Sequence, residues 1–208
     1  MKIKTVIVGM LHTNCYILED EQSGKCAVID PGANAERIIN ELEGKQVEYI
    51  LLTHGHFDHI LAAAQIQRET KAKLLIHKAD EHMLSERYVK ASGMLKSIND
   101  IAKADRYLED GETIELGALK IKVLNTPGHT KGSCVLICND VMIAGDTLFY
   151  ESWGRTDFEG GSDMEMVSSL RKLALLDGDY TVLPGHGEAT TLSHERSYNT
   201  LMRYALRQ

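Results

Sequence analysis

Three histidines and one aspartate stand within six residues, in the stretch Thr53-His54-Gly55-His56-Phe57-Asp58-His59. Imidazole nitrogens and carboxylate oxygens are ligands that borderline cations such as zinc accept. The stretch follows the apolar run Tyr49-Ile50-Leu51-Leu52, which predicts a strand. A strand that ends in such a cluster brings several ligands to one place at the rim of a sheet. We interpret the stretch as a metal site; the alternative is a histidine-rich surface loop.

Three later turns repeat one arrangement, in which an apolar run is followed by a glycine turn and one ligand-type residue. Glycine permits the positive φ or the close backbone approach that such turns need. These turns weaken the alternative of a surface loop. The three ligand-type residues are His129 in Thr126-Pro127-Gly128-His129-Thr130, Asp146 in Ile143-Ala144-Gly145-Asp146-Thr147, and His186 in Leu183-Pro184-Gly185-His186-Gly187.

The series HxHxDH, GH, GD and GHG, in this order, resembles the metallo-β-lactamase superfamily of metal-dependent hydrolases. The match runs from about Asn14 to His186. Within the superfamily, the chain looks most like glyoxalase II (hydroxyacylglutathione hydrolase) and its shorter bacterial relatives. The supporting stretches are Asn14-Cys15-Tyr16, Asp30-Pro31-Gly32, Gly145-Asp146-Thr147-Leu148-Phe149, Gly154-Arg155-Thr156-Asp157 and Gly185-His186-Gly187.

The resemblance implies a centre for two divalent ions. Zinc is the expected metal, and iron and manganese suit the same nitrogen and oxygen ligands. By resemblance, the ligands are His54, His56 and His129 for one metal, Asp58, His59 and His186 for the second, and Asp146 as the bridge between them.

The implied reaction is attack of a metal-bridging hydroxide on an acyl carbon. Two metals about 3.5–4 Å apart lower the pKa of a shared water, and they stabilise the oxyanion that forms. The predicted catalytic residues are Asp58 and Asp146, whose charges offset those of the two ions. Asp58 is also expected to orient the water or take its proton. Many true metallo-β-lactamases use a cysteine ligand near position 146, where this chain has aspartate.

The apolar runs predict one domain over residues 1–208, with ten strands between Lys4 and Leu183 intermixed with helices. Ligand-type residues follow strands, which indicates central sheets, outer helices and a site along one edge. The resemblance makes this α/β fold a four-layered αββα sandwich, with the metal site at one edge of the two sheets. Helices are predicted at Asn34–Leu42, Asp58–Glu69, Ala79–Arg87, Asp163–Leu176 and Ser193–Arg207, with Asn34 and Asp163 as N-caps.

The composition, 43% hydrophobic and 25% charged over 208 residues, is ordinary for a globular protein. A net charge of -7 argues against a nucleic-acid partner, and no apolar run approaches the ~20 residues of a membrane span. The N-terminus reads as a strand, so we expect no signal peptide. Cys15, Cys26, Cys134 and Cys138 form no CxxC pair. They are expected to be buried thiols in a reducing cytoplasm; a disulfide or a cysteine metal site is the alternative.

Two candidate substrate contacts, Tyr150 and Arg155, follow the Asp146 turn. Arg155 is suited to bind a substrate carboxylate; the alternative is a salt bridge with Asp157 or Asp163. Trp153 is expected to pack under this loop rather than line the site. Full-length glyoxalase II enzymes carry a C-terminal helical domain whose basic residues grip glutathione. Here one helix follows the last ligand, so we expect that grip to be missing or built differently.

Several other residues carry weaker signals. Asp30 is expected to be a turn residue, with a role in orienting the site as the alternative. Residues 90–107 read either as a mobile flap or as a solvated connector. The remaining histidines fit no motif and are expected to lie on the surface or in the core; they are His12, His77, His82 and His194.

Three functions are compatible with the pattern. The first is hydrolysis of 2-hydroxyacyl thioesters such as S-lactoylglutathione. The second is metal-dependent hydrolysis of lactones, esters or phosphoesters, and the third is an iron-dependent persulfide dioxygenase that shares the tetrad. A complete set for the second metal (Asp58, His59, His186) favours a two-metal hydrolase. A small-molecule substrate is expected, and the sequence predicts no oligomeric state.

Overall fold

Two six-stranded β-sheets form the centre of the fold in the computed structural model, which describes residues 1–91 and 101–208. In chain order the strands are β1 (Lys2–Val8), β2 (Thr13–Asp20), β3 (Lys25–Ile29), β4 (Gln46–Leu51), β5 (Lys73–His77), β6 (Arg106–Leu108), β7 (Thr113–Leu116), β8 (Leu119–Asn125), β9 (Cys134–Cys138), β10 (Val141–Gly145), β11 (Leu148–Phe149), β12 (Ser152–Trp153), β13 (Thr181–Pro184) and β14 (Thr190–Thr191).

The first sheet has the order β1-β2-β3-β4-β5-β6, and the second has the order β14-β13-β10-β9-β8-β7. In the first, β3, β4, β5 and β6 run parallel, whereas β1, β2 and β3 are antiparallel. In the second, β10 and β13 are the parallel pair. Strands β11 and β12 form a separate small hairpin. Within each sheet, the carboxyl ends of the parallel strands therefore lie at the same edge.

Helices cover the outer face of each sheet. Those packed on the first sheet are α1 (Ala35–Glu41), α2 (Phe57–Ile60), α3 (Ala63–Thr70), the 3₁₀ helix Lys78–Leu84 and α4 (Glu86–Ala91). Those packed on the second are α5 (Asp163–Ala174), α6 (Leu192–Tyr198) and α7 (Thr200–Ala205).

Side-chain alternation along the strands fills three apolar layers. In β2, Cys15 and Ile17 face the helices, whereas Tyr16 and Leu18 face the second sheet. A strand buried on both faces reads as a continuous apolar run, because its two sets of alternate side chains are both removed from water. The predicted four-layered αββα sandwich is confirmed.

Three predicted helices are interrupted. Asp58–Glu69 divides into α2 and α3, and Ala79–Arg87 consists of the 3₁₀ helix and α4. Ser193–Arg207 breaks at Asn199, whose ψ of 116° ends α6. The Asn199 side chain then accepts a hydrogen bond from the Met202 N–H at 3.1 Å and caps α7.

Of the two predicted N-caps, Asn34 is confirmed in position at α1, whereas Asp163 is wrong for α5. The cap of α5 is Ser162, whose hydroxyl accepts from the Glu165 N–H at 3.3 Å, so Asp163 is the first helical residue. Asn34 does stand before α1, but its backbone is left-handed (φ 53°) and its side chain makes no cap bond. The Asn34 carboxamide oxygen instead accepts from the Gly9 N–H at 2.9 Å.

The structure also bears on the remaining predictions. The four cysteines are buried and free, as expected. No helix in residues 1–91 or 101–208 is long and apolar enough to cross a membrane. Within the predicted flap, the stretch Ser92-Gly93-Met94-Leu95-Lys96 lies outside the described residues, whereas the end of that segment forms β6.

Two side chains of the first sheet hydrogen-bond to the turn that carries His186. The Tyr16 hydroxyl donates to the Pro184 carbonyl at 2.6 Å, and the Asn14 amide donates to the same oxygen at 3.0 Å. A second bond from the Asn14 amide reaches the Gly187 carbonyl at 3.0 Å. These bonds fix the end of β13 against β2.

Tyr16→Phe should lower the free energy of unfolding by about 1 kcal/mol, because it removes one buried hydrogen bond to Pro184. Urea denaturation measures the change. Tyr204→Phe is the matched control, since Tyr204 is 51% exposed, and it should change stability by less than about 0.5 kcal/mol. Equal stability of both variants would contradict the role assigned to the Tyr16 bond.

Candidate metal centre

Four strand ends deliver the seven predicted ligands to one edge of the sandwich. The HxHxDH stretch follows β4, His129 follows β8, Asp146 follows β10, and His186 follows β13. Because β8 and β10 each pair antiparallel with β9, they point the same way. The turns after these strands therefore open on the same side of the fold.

Three overlapping groups of three side chains lie there, each with potential ligand atoms within 4.8 Å of one another, and two of the groups are the ligand sets expected from the resemblance. Asp146 lies between the groups: Oδ1 is 3.4 Å from His59 Nε2, and Oδ2 is 3.4 Å from His129 Nε2 and 3.6 Å from His186 Nε2. The structure thus brings all seven residues together in the grouping expected from the resemblance, and their roles as ligands stay a prediction. The two expected groups are His54, His56 and His129, and Asp58, His59 and His186; the third group is Asp30, His54 and His59.

Two buried atoms of this cluster have no hydrogen-bond partner among the described residues: His54 Nε2 and Asp146 Oδ1. An unsatisfied buried polar atom costs about 1–3 kcal/mol. A divalent cation accepts lone pairs from both kinds of atom, so it would satisfy what the protein itself leaves unpaired. The donor set therefore fits divalent metal ions.

Two buried imidazoles of the first group, His54 and His56, are held neutral. Burial, together with the neighbouring imidazoles of His59 and His129, lowers the pKa of His54 well below its usual value. The same causes, burial first, lower the pKa of His56 to about 3. A neutral ring offers a free lone pair, which is the form that binds a metal.

His59 is surrounded by carboxylates. Burial acts to lower its pKa, but Asp146, Asp30 and Asp58 outweigh burial and raise the pKa of His59 to about 10. Asp30 Oδ2 lies 3.0 Å from His59 Nδ1 and accepts its hydrogen. That bond leaves Nε2 of His59 directed at Asp146.

Asp30 also anchors Thr53, which precedes the histidine stretch. Its carboxylate accepts from the Thr53 N–H at 2.7 Å and from the Thr53 hydroxyl at 2.6 Å. The Thr53 hydroxyl in turn lies 3.1 Å from His54 Nδ1. Asp30 has a positive φ of 51°, as a turn residue would. It also orients the site, which sequence reasoning had kept as the alternative.

Backbone carbonyls orient two further rings. His129 Nδ1 lies 2.7 Å from the Arg155 carbonyl, and His186 Nδ1 lies 3.0 Å from the Leu11 carbonyl. Each carbonyl accepts the Nδ1 hydrogen, so Nε2 is the nitrogen that faces the cluster, where His129 Nε2 lies 2.8 Å from His56 Nδ1. Such outer partners fix the tautomer and the direction of a metal-binding histidine.

Asp58 faces the opening between the two groups. Burial acts to raise its pKa, but hydrogen bonding to His186 and the nearby His59 outweigh burial and hold the pKa of Asp58 below its usual range. Its Oδ2 lies 3.1 Å from His186 Nε2 and accepts from the Thr13 hydroxyl at 3.2 Å. The carboxylate is therefore charged and held in place.

The two candidate substrate contacts lie on the surface beside this edge. Arg155 forms a two-point salt bridge with Asp157, with both N–O distances 2.7 Å, so the expected alternative is realised with Asp157 and not with Asp163. Its guanidinium carbon lies 3.8 Å from the centre of the Phe158 ring. The Phe158 ring in turn packs edge-on against the His56 ring, with the two ring centres 5.6 Å apart. Arg155 therefore borders the first group of histidines.

Tyr150 stacks on His194 with ring centres 5.0 Å apart, and the His194 Nε2 lies 3.0 Å from a Glu151 carboxylate oxygen. Trp153 packs with the apolar layer under α5, as predicted. His77 accepts a hydrogen bond from the Ala79 N–H at 3.3 Å and caps the 3₁₀ helix. Within the described ranges, no group of potential ligands includes His12, His77, His82 or His194.

One residue of the site was missed by sequence reasoning. Asp80 is fully buried and binds the loops that carry His54, His56 and His129. Its only sequence signal is a position in the charged start of a predicted helix, which gives no sign of long-range contacts.

The fold and the centre together define a class, the αββα proteins with a histidine and aspartate centre at the sheet edge. The chain belongs to the metallo-beta-lactamase superfamily, whose family model matches residues 8–186. The superfamily and the His/Asp groups indicate a metal-dependent hydrolase that binds divalent metal.

Among curated relatives, uncharacterized protein ML0493 of Mycobacterium leprae is 36% identical, over 93% of this chain and 95% of that protein. The probable metallo-hydrolase YqgX of Bacillus subtilis is 33% identical, over 97% and 98%. The hydroxyacylglutathione hydrolase GloC of Haemophilus influenzae is 32% identical, over 97% and 98%.

Solved structures show the same fold. The BLEG-1 B3 metallo-beta-lactamase superposes with a TM-score of 0.87 at 31% identity, over 97% of this chain and 99% of that one. TTHA1623 in a di-iron-bound form superposes with a TM-score of 0.82 at 30% identity, over 95% of this chain and 98% of that one. ETHE1 from Myxococcus xanthus superposes with a TM-score of 0.77 at 26% identity, over 96% of this chain and 84% of that one.

Asp146→Ala should remove metal and activity together, because the Asp146 carboxylate lies between both groups. Removal of an outer partner alone costs about 10–100-fold in metal affinity or activity, so loss of this carboxylate should cost at least about 100-fold. Metal content after gel filtration and turnover of a hydrolysed substrate measure the effect.

His77→Ala and His194→Ala are the matched controls, since both remove an imidazole outside the two groups. Each should keep the metal content of the parent protein. Retention of metal and activity by Asp146→Ala would contradict the bridging assignment, and loss of stoichiometric metal in either control would show that the ligand set is wrong.

Proposed function

We propose that this chain is a thioesterase that hydrolyses 2-hydroxyacyl thioesters such as S-lactoylglutathione, using two divalent ions, with zinc as the expected metal. The observation that carries the proposal is the meeting of two ligand groups at a shared Asp146 carboxylate. The similarity to GloC, which extends over nearly the whole of both chains, supports the choice of substrate class.

In the proposed centre, His54, His56 and His129 would hold one ion, Asp58, His59 and His186 would hold the second, and Asp146, which lies between the two groups, would serve as a ligand to the ions. The bound ions supply Lewis acidity, which polarises a carbonyl group and lowers the pKa of water. With the ions bound, the two carboxylates would offset the positive charge that the imidazole ligands leave uncompensated.

Asp58 is the residue that we propose as the acceptor of the proton from the attacking water. It is charged, and it is oriented by Thr13 and His186. Its side chain is 14% exposed, so it borders the opening where a substrate would enter. A carboxylate held in this way can orient the attacking water and take its proton. Buried His54 and His56 exclude bulk water from the other side of the centre.

Arg155 and Tyr150 are proposed as contacts to the thiol carrier. The Arg155 side chain is 57% exposed and borders the first group of histidines through Phe158. A guanidinium binds a carboxylate through two parallel hydrogen bonds, and glutathione offers carboxylates. The exposed Tyr150 ring offers a flat surface for the rest of the carrier.

Two other activities are kept as alternatives. The similarity to the BLEG-1 metallo-beta-lactamase supports hydrolysis of a different acyl substrate, such as a lactone or another ester. The similarity to ETHE1 fits an iron-dependent persulfide dioxygenase equally well. We also propose a cytoplasmic location, because four buried, unpaired thiols suit a reducing compartment.

Steady-state hydrolysis of S-D-lactoylglutathione by the metal-replete protein, followed as loss of thioester absorbance, tests the proposal. We expect turnover that disappears after metal removal and returns with added zinc. No turnover with metal confirmed bound would reject glutathione thioesters. Lactones, other thioesters and persulfide-dependent oxygen uptake would then separate the alternatives.

Arg155→Ala should raise the KM for S-D-lactoylglutathione by about 10–100-fold with kcat nearly unchanged, because a hydrogen bond to a charged group contributes about 1.5–3 kcal/mol and this one would bind the ground and transition states alike. The kinetic constants of the purified variant measure the effect.

Asp157→Asn separates the two roles of Arg155. If the guanidinium binds substrate, loss of the competing Asp157 carboxylate should leave KM unchanged or lower it. If the salt bridge only stabilises the loop, both substitutions should act alike on stability and neither should act on KM. That second pattern would contradict the proposed contact.

A further inference from the structure

One buried carboxylate connects the loops that carry the first group of histidines. Asp80 Oδ2 accepts from the Gly55 N–H at 3.0 Å and from the Thr130 hydroxyl at 2.7 Å. Its Oδ1 accepts from the Gly132 N–H at 2.8 Å. Gly55 lies between two of the three histidines, and Thr130 directly follows the third.

These contacts join distant parts of the chain. Gly55 follows β4 of the first sheet, whereas Thr130 and Gly132 follow β8 of the second. Both loops are pressed against the 3₁₀ helix. A Cβ at Gly132 would lie 2.6 Å from Asp80 Cγ, and one at Gly55 would lie 2.7 Å from Met83 Cβ. Glycine is needed at both points because the backbone approaches the helix so closely.

We propose that Asp80 is a positioning residue that sets the spacing of His54, His56 and His129, and so acts on one metal site and not on the other. The inference rests on the ligand groups of the proposed function. Asp80 reaches all three imidazoles only through the backbone and the Thr130 hydroxyl, at residues that lie one to three positions along the chain from the ligands. Among the described residues, no hydrogen bond joins Asp80 to Asp58, His59 or His186 themselves.

The physical basis is the orientation of backbone rather than charge on a metal. A fully buried carboxylate is costly unless its oxygens are hydrogen-bonded. Here three neutral donors from two loops satisfy it. Moving the Gly55 loop away would remove one donor, and moving the Thr130 loop away would remove two, so Asp80 favours a fixed separation of the two loops.

Zinc affinity in two single-site backgrounds tests the inference. His186→Ala disables the second group and keeps the first, whereas His129→Ala does the reverse. Competition with a chromophoric chelator gives the zinc affinity of each. Asp80→Asn should weaken zinc binding by about 10–100-fold in the His186→Ala background, as loss of an outer partner does. In the His129→Ala background it should change affinity by less than about twofold.

Asp20→Asn is the matched control. Asp20 is a buried carboxylate that likewise accepts from one hydroxyl and two backbone amides, those of Ser23 (2.6 Å), Ala118 (2.9 Å) and Gln22 (3.3 Å). It should leave zinc affinity unchanged in both backgrounds. Equal weakening of both sites by Asp80→Asn, no weakening of the first, or an equal effect of Asp20→Asn would overturn the inference.

A second pair of variants keeps the test available if Asp80→Asn does not fold. Thr130→Val removes one donor to Asp80 and should weaken zinc binding in the His186→Ala background, whereas Thr130→Ser keeps the hydroxyl and should restore it. Equal affinity of these two variants would overturn the inference. Loss of all zinc from the His186→Ala parent, with zinc bound by the unmodified protein, would instead reject the ligand assignment of the proposed function, and the inference with it.

Discussion

The structure depends on the crowding of nitrogen and oxygen lone pairs at one edge of the sandwich. Three imidazole rings have centres only 4.1–4.8 Å from that of His54, those of His56, His59 and His129, and the rings of His56 and His129 are 4.5 Å apart. Asp146 lies beside them. Burial keeps His54 and His56 neutral, while buried lone pairs without a partner are unfavourable. A divalent cation resolves this conflict, so the loops are arranged around a partner that the polypeptide itself does not provide.

Fixed acceptors around the cluster make this arrangement possible. Asp30 holds Thr53 and His59, Asp80 holds the loops of the first group, and backbone carbonyls hold His129 and His186. Most of these acceptors lie on a different strand or helix from the ring or loop that they orient. The orientation of the ligands therefore depends on how the two sheets pack. The hydrogen bonds from Tyr16 and Asn14 to the Pro184 carbonyl contribute both to the packing of the sheets and to the position of His186.

The ligand residues could be predicted because each follows an apolar strand within a few positions, so the signal is local. The αββα layering came through the resemblance, since a strand buried on both faces shows no alternation that would assign it to a sheet. The helix break at Asn199 was missed because the apolar spacing continues through it. Strands of two residues, such as β11 and β14, are too short to show a periodic pattern in the sequence. The hydrogen bonds of Asp80 were missed because they join residues up to more than fifty positions apart, which no local pattern reveals.

The choice of aspartate at position 146 has a consequence for chemical durability. All seven side chains of the centre offer nitrogen or oxygen, and the thiols lie in the apolar layers. Burial raises the pKa of Cys26 to about 11 and of Cys134 to about 12, which keeps both protonated. Peroxides attack thiolates first, and this centre presents none. An oxidant that would strip a cysteine-ligated metal from its protein therefore finds no reactive sulfur at this one.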